Sequence, residues 1–146
     1  MFDRVLTVCV GNICRSPMAE GLLRARLAAR GPGAVVESAG IAALVGRPAD
    51  PTAVALMAER GIDISGHLAR QLTPELAAGF DLVLVMEQWH RREVEVIAPP
   101  MRGRVHRFGN FDVPDPYRQP RAAFADALAL IERGIAELEK AWWPPR

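Results

Sequence analysis

The residues of this chain whose types and spacing could do chemistry begin at a cysteine. Residues 5–18 read Val-Leu-Thr-Val-Cys-Val-Gly-Asn-Ile-Cys-Arg-Ser-Pro-Met. An apolar run leads straight into Cys9, and Arg15, Ser16 and Pro17 follow a short loop. Gly11 and Asn12 both tolerate positive φ, and one residue in that region lets successive backbone N–H groups curl into an anion-binding concavity. Ser16 followed by Pro17 predicts a helix start, with Ser as N-cap and Pro at the first helical position. The positive end of that helix would face the loop. Cys9 at its mouth is expected as a thiolate nucleophile, because helix N-termini and neighbouring cations favour that form. Arg15 supplies a planar fork matched to two phosphoryl oxygens. Val10, Gly11, Asn12, Ile13, Cys14, Arg15 and Ser16 would then form a phosphate-binding cradle. Phosphoryl transfer is mostly positioning and charge stabilisation, which such a cradle provides. Cys9 alone would read as a buried hydrophobe and Arg15 alone as a solvated helix-start residue; strand, loop and capped helix together argue for chemistry. No Gly-Lys-Ser/Thr follows the glycine, which excludes the P-loop of nucleotide-binding proteins.

Cleaving a phosphate ester also requires a proton for the leaving oxygen. Candidates lie in Asn110-Phe111-Asp112-Val113-Pro114-Asp115-Pro116-Tyr117. Asp112 and Asp115 both qualify chemically, and the prolines flanking Asp115 restrict its backbone. A plain surface turn is an equal reading of the local sequence. Ser38, at the end of the second strand-like run, could pin the first loop. His67 reads as a structural hydrogen-bonding residue, and His90 and His106 have no apparent partners. No Cys/His cluster has metal-ligand spacing, so no metal or other cofactor is expected.

These groups need elements to position them. Strand-like runs fall at 3–9, 34–38, 81–86 and 104–108. Helical patterns lie between them: one after Ser16, one from Asp50-Pro51 to about Gly61, a short one opening at Thr73-Pro74-Glu75, and one over 88–98 stopped by Pro99-Pro100. A final helical pattern carries Phe124, Leu128, Ile131, Ile135, Leu138 and Trp142 on one apolar face. Alternating strands and helices predict an α/β fold: one domain, residues 1–146, with a four-stranded parallel sheet, helices on both faces and a phosphate-binding loop after strand 1. Ligands of such sheets bind at the carboxyl ends of the strands, where Cys9, Ser38 and the Asp115 loop would all emerge. The Trp142-Trp143 pair is expected to pack on the domain.

Composition bounds the function classes. At 146 residues with 50% hydrophobic content, the chain can bury a real core. The net charge of +1 gives no global basic field, so nucleic acid is not an expected partner. Nearly all basic residues are arginine, Lys140 being the sole lysine. No long apolar run or signal peptide is visible, and two cysteines are no disulfide framework, so no membrane association and a cytoplasmic location are expected.

With Cys9-Val-Gly-Asn-Ile-Cys-Arg-Ser16 and Asp115-Pro116-Tyr117 in place, the chain resembles the low-molecular-weight protein tyrosine phosphatases over nearly its whole length. Ser38-Ala39-Gly40, His67 to Gln71 and Asp81 to Glu87 share in the resemblance. It is most similar to the bacterial branch acting on tyrosine kinases of capsule and exopolysaccharide export, through Ala42 to Gly46 and Asp-Pro-Tyr-Arg. The resemblance implies that Cys9 takes the phosphoryl group, Arg15 clamps the transition state and Asp115 is the general acid that later activates water. It implies that Ser16 stabilises the thiolate, that Asn12, Ser38 and His67 hold the loop, and that Ile13, Leu44 and Tyr117 line the slot for the substrate ring. Cys14 would protect an oxidised Cys9 as a reversible disulfide. The implied partners are phosphotyrosine proteins, among them a bacterial tyrosine autokinase, with inorganic phosphate as product and inhibitor. Some members of that family, chiefly eukaryotic, carry two consecutive tyrosines after Asp-Pro and an aromatic near position 44, where this chain has Arg118 and Leu44.

Three rivals are weighed. Arsenate reductases pass oxidation to further cysteines, and none follows Cys14. Arginine phosphatases of the same family have Thr at the position of Ile13. A non-catalytic phosphate-binding module would lack the nucleophile or the acid.

Overall fold

The computed structural model describes residues 2–145; Met1 and Arg146, the outermost residues of the expected domain, lie outside the described residues. The chain runs β1 (Arg4–Cys9), α1 (Arg15–Ala28), β2 (Val35–Gly40), α2 (Pro51–Glu59), α3 (Pro74–Ala77), β3 (Leu82–Val85), α4 (Gln88–Ile97), a 3-10 turn (Pro99–Met101), β4 (Val105–Arg107) and α5 (Arg121–Trp142). Among the described residues, four strands form one sheet in the order β2-β1-β3-β4, every pair parallel. The fold class read from the sequence is the one observed.

The sheet separates two apolar layers because successive strand side chains point to opposite faces. Val5 and Cys9 of β1, with Leu82 and Leu84 of β3, face the layer built by α1, α2 and α5. Leu6 and Val8, with Val83 and Val85, face the smaller layer of α3 and α4. All four β3 side chains are buried, as a central parallel strand covered on both faces requires. Helix α5 contributes Phe124, Leu128, Ile131 and Ile135 to the first layer. Gly134 lets it approach the sheet: a Cβ there would stand 2.6 Å from the Phe108 carbonyl oxygen.

Helix starts follow local chemistry at two of the expected places. Asp50 accepts a hydrogen bond from Thr52 N at 2.9 Å ahead of Pro51, and Thr73 accepts from Leu76 N at 3.1 Å ahead of Pro74. At α1 the expectation fails. The helix begins at Arg15 with Cys14 as N-cap and no side-chain cap, because the Ser16 hydroxyl is engaged elsewhere. The tryptophan pair packs on the domain as expected: Trp143 is buried and donates from Nε1 to Phe2 O at 2.9 Å, and Trp142 meets Phe2 edge-on.

Candidate active site

The loop between β1 and α1 is built by its carbonyl groups. Cys9 O accepts from Ile41 N, Val10 O from Ala42 N, Gly11 O from Leu44 N, Ile13 O from Asp50 N and Cys14 O from Met18 N. Asn12 O lies 2.7 Å from His67 Nε2, and a carbonyl only accepts, so this nitrogen carries the hydrogen. Every carbonyl from Cys9 to Cys14 is thus drawn outward into the protein. The N–H groups of Gly11, Asn12, Ile13 and Cys14 have no acceptor among the described residues, which leaves them free to serve an anion. The left-handed turn that permits this falls on Asn12, at φ 59°. Gly11, its equal candidate in the sequence, is not in that region.

Asn12 occupies this conformation because its side chain is held at each end. Its Oδ1 accepts from Arg70 N at 2.9 Å, which sets the orientation of the amide. Its Nδ2 therefore donates to Ser16 Oγ at 2.8 Å and to Ser38 Oγ at 3.0 Å. Ser38 passes its own hydrogen to Glu20 Oε1 at 2.5 Å. Ser16, already accepting from Asn12, has its O–H left for Cys9 Sγ at 2.9 Å. This is the work that displaces Ser16 from the N-cap role. Gly40, beside Cys9 in the ladder, packs so closely that a Cβ would sit 2.5 Å from Val10 O.

The two cysteines differ. Both are free and buried. Burial, together with the negative groups Asp50, Cys9 and Asp115, pushes the Cys14 thiol well above its ordinary range, against a smaller opposing pull from Arg15. Cys14 is held as a thiol. Both cysteines line a pocket of about 140 Å³ with Ile13, Arg15, Leu44, Asp115 and Tyr117, and Cys9 is the one that receives the Ser16 hydroxyl.

Arg15 is 1% exposed, and its guanidinium is divided in use. Nη1 donates to Glu87 Oε2 and to Val113 O, both at 2.7 Å. Nη2 is 3.7 Å from Asp115 Oδ2. Nε is buried without a partner among the described residues. One end of the fork is anchored while the other edge remains available to phosphoryl oxygens. Asp115 is half exposed at the pocket mouth, its Oδ1 accepting from Tyr117 N at 3.1 Å. Asp112 lies apart from Cys9 in function: its Oδ1 accepts from Gln88 N and Arg107 Nη1. Of the two carboxylates, Asp115 is the one lining the pocket.

Sequence reasoning missed three contributors. Glu87 holds Arg15; the signal was an acidic residue just beyond the carboxyl end of a parallel strand. Glu20 supports Ser38 from one turn inside α1. His90, expected without partners, is fully buried and accepts from Glu87 N at 3.1 Å; its deep burial and the Arg15 charge bring it down to about 4. His106 also has a neighbour, packing edge-on to Trp142 with ring centroids 5.2 Å apart. Among the described residues, no group of three His, Cys, Asp or Glu side chains converges as a metal site, and no helix is long and apolar enough to cross a membrane.

A parallel α/β sheet carrying a cysteine in a loop whose N–H groups have no acceptor among the described residues suits a phosphoryl-handling protein of the cysteine-dependent kind. The family profile of low molecular weight phosphotyrosine protein phosphatases matches residues 4–142. The chain is 52% identical over 147 aligned positions to the probable low molecular weight protein-tyrosine-phosphatase EpsP of Ralstonia solanacearum, covering 99% of this chain and 96% of that one. It is 46% identical to the low molecular weight protein-tyrosine-phosphatase Wzb of Escherichia coli K12, covering 97% and 96%. The solved structure of Vibrio vulnificus Wzb in complex with benzylphosphonate superposes with a TM-score of 0.90 at 42% identity, covering 97% of this chain and 99% of that one. The chain belongs to the low molecular weight phosphotyrosine protein phosphatase family.

Proposed function

We propose that this protein hydrolyses phosphotyrosine in proteins through a cysteinyl-phosphate intermediate. The observation that carries the reading is the loop in which each carbonyl from Cys9 to Cys14 is tied outward while N–H groups and a thiol face one pocket. In the first step Cys9 Sγ attacks phosphorus, an S–P bond forms and the bond to the phenolic oxygen breaks. Asp115 gives its proton to that oxygen. Arg15, through Nε and Nη2, and the loop N–H groups take the charge of the equatorial oxygens. In the second step Asp115 accepts a proton from water, which attacks phosphorus and releases phosphate and Cys9. The Ser16 hydroxyl stabilises the sulfur in both steps, and Asn12, Ser38 and His67 keep the loop in shape. Ile13, Leu44 and Tyr117 form an apolar slot for the ring. A benzylphosphonate, as bound by the Vibrio relative, is the kind of aryl-bearing anion such a slot would take.

The finer readings rest on the resemblance. The physiological substrate is a bacterial tyrosine autokinase of exopolysaccharide export, encountered in the cytoplasm, and inorganic phosphate is a product inhibitor. When a peroxide oxidises Cys9 to a sulfenic acid, the peroxide being reduced to water or alcohol, Cys14 attacks its sulfur and displaces water to form a disulfide, which a cellular thiol reduces.

The deciding experiment compares phosphotyrosine peptide, phosphoserine peptide, phosphoarginine and arsenate on one metal-free preparation, with Cys9→Ser beside it. Turnover of phosphotyrosine alone, lost on the order of 10⁴-fold or more in Cys9→Ser with phosphate binding retained, supports the proposal. Preference for phosphoarginine or arsenate, or unchanged turnover in Cys9→Ser, overturns it.

A further inference from the structure

We infer that His90 is a positioning residue for the phosphoryl clamp: as a neutral imidazole it holds Glu87 from behind and so sets the angle at which Arg15 presents its free edge. The inference rests on the reading of Arg15 as that clamp.

The geometry is a three-residue chain. Arg15 Nη1 is anchored on Glu87 Oε2 at 2.7 Å. Glu87 is the residue immediately preceding α4, and His90 sits in the first turn of that helix. His90 closes on Glu87 twice over. Its backbone N donates to Glu87 O at 3.0 Å, and its ring Nδ1 accepts from Glu87 N at 3.1 Å. In the usual capping box the second bond is made by a Glu or Gln at this position; here an imidazole makes it.

That substitution has a chemical consequence. A ring nitrogen that accepts carries no proton, so the neutral ring holds its hydrogen on Nε2. Nε2 is buried and makes no hydrogen bond among the described residues; it stands 3.4 Å from Glu87 Oε2, close enough for its N–H to face that carboxylate electrostatically. The same carboxylate oxygen therefore faces Arg15 Nη1 on one side and His90 Nε2 on the other. A Glu would cap the helix equally well but has no donor; only a side chain that both accepts from the Glu87 N–H and offers a donor toward its carboxylate can hold Glu87 at both ends. Histidine does so with a rigid ring.

Protonation would break the device, because an N–H at Nδ1 would point at the Glu87 N–H. The surroundings oppose it. The ring is 0% exposed, and Trp89 meets it edge-on with centroids 4.4 Å apart. Of the charged groups facing it, Arg15 disfavours the imidazolium, while Glu87, Asp112 and Asp115 favour it; burial outweighs them and holds the group down to about 4. Arg15 thus has a neutral support through the mildly acidic range.

The test is a cycle of variants assayed for kcat and KM with p-nitrophenyl phosphate, each with its melting temperature. His90→Phe, which keeps bulk but neither polar function, is expected to lower kcat on the order of 10- to 100-fold, as a slight misplacement of a clamp does, with a smaller change in KM. His90→Gln, which keeps acceptor and donor, is expected to recover kcat to within about threefold of the parent. In a Glu87→Gln background, His90→Phe should add little. A His90→Phe enzyme with a lowered melting temperature but parental kcat overturns the inference, as does full additivity with Glu87→Gln. Nitrogen-15 NMR of the unmutated protein provides a readout that needs no variant to fold. A hydrogen on Nε2 with no titration between pH 5 and 7 supports the inference, and a hydrogen on Nδ1 overturns it. An inert parent enzyme would instead refute the phosphatase reading, so the two failures are distinguishable.

Discussion

The cradle and the acid loop meet at one pocket but are built in opposite ways. Between Cys9 and Ser16 the carbonyls and polar side chains are tied up, leaving the loop N–H groups free: outward carbonyls, an amide held at both ends, a hydroxyl aimed at sulfur. The segment bearing Asp115 is bonded at its base and packed again at Pro116 and Tyr117, with Asp115 itself between them. At that base Val113 is buried, its N donates to Met86 O, and its carbonyl takes Arg15 Nη1. Beyond it, Asp115 is half exposed with one local hydrogen bond, and two prolines do what a network does in the cradle. The difference follows from the tasks. Stabilising developing charge depends on dipoles that need not reorganise, so the cradle must be rigid before substrate arrives. An acid that later handles water must stay in touch with solvent and needs only one side chain in reach.

This contrast can be broken or sharpened by experiment. The largest effect is expected at the exposed member. Asp115→Ala should slow phosphotyrosine turnover about 10²- to 10⁴-fold, and p-nitrophenyl phosphate, with its better leaving group, far less. Asp112→Ala should leave that ratio unchanged; if Asp112→Ala is the variant that alters the ratio, the acid is misassigned. Next comes acid sensitivity of the buried region. His90 is held below its unfolded value, so the unfolded chain binds the extra proton first and stability falls as pH drops through the window from 6.5 to about 4. Most of about 3 kcal/mol should be gone by pH 4, read as a lower urea midpoint, and the loss should be absent in His90→Gln. The smallest effect is expected at the turn. Asn12→Ala strands the Arg70 N–H and keeps the left-handed φ without the amide that supports it, costing about 1–3 kcal/mol. A melting curve unchanged from the parent would show that the network is not what holds the loop.

Much of this was legible in the linear chain where information is local. Strand runs, the caps at Asp50 and Thr73, the apolar stripe of α5 and the spacing of Cys9, Arg15 and Ser16 all depend on neighbours a few residues away. The grouping of Cys9 with Asp115 was legible one level up, because a parallel sheet brings the carboxyl ends of its strands to one edge. What escaped depended on how the chain folds back on itself, over short and long separations alike. Ser16 has the local signature of an N-cap, yet its near neighbours Asn12 and Cys9 claim its hydroxyl once the loop curls. Gly11 and Asn12 were equal candidates for the left-handed residue until Arg70, far along the chain, fixed the Asn12 amide.

By itself, then, the sequence determined the class of fold, a candidate nucleophile with its arginine, and two candidate acids, because propensity, periodicity and loop spacing are short-range properties. Only the tertiary structure decided which aspartate lines the pocket, that Cys14 is kept as a thiol, and that Glu87 and His90 stand behind Arg15. Burial and the meeting of charges are set by packing between segments that no local pattern relates, so their consequences appear only once the chain is folded.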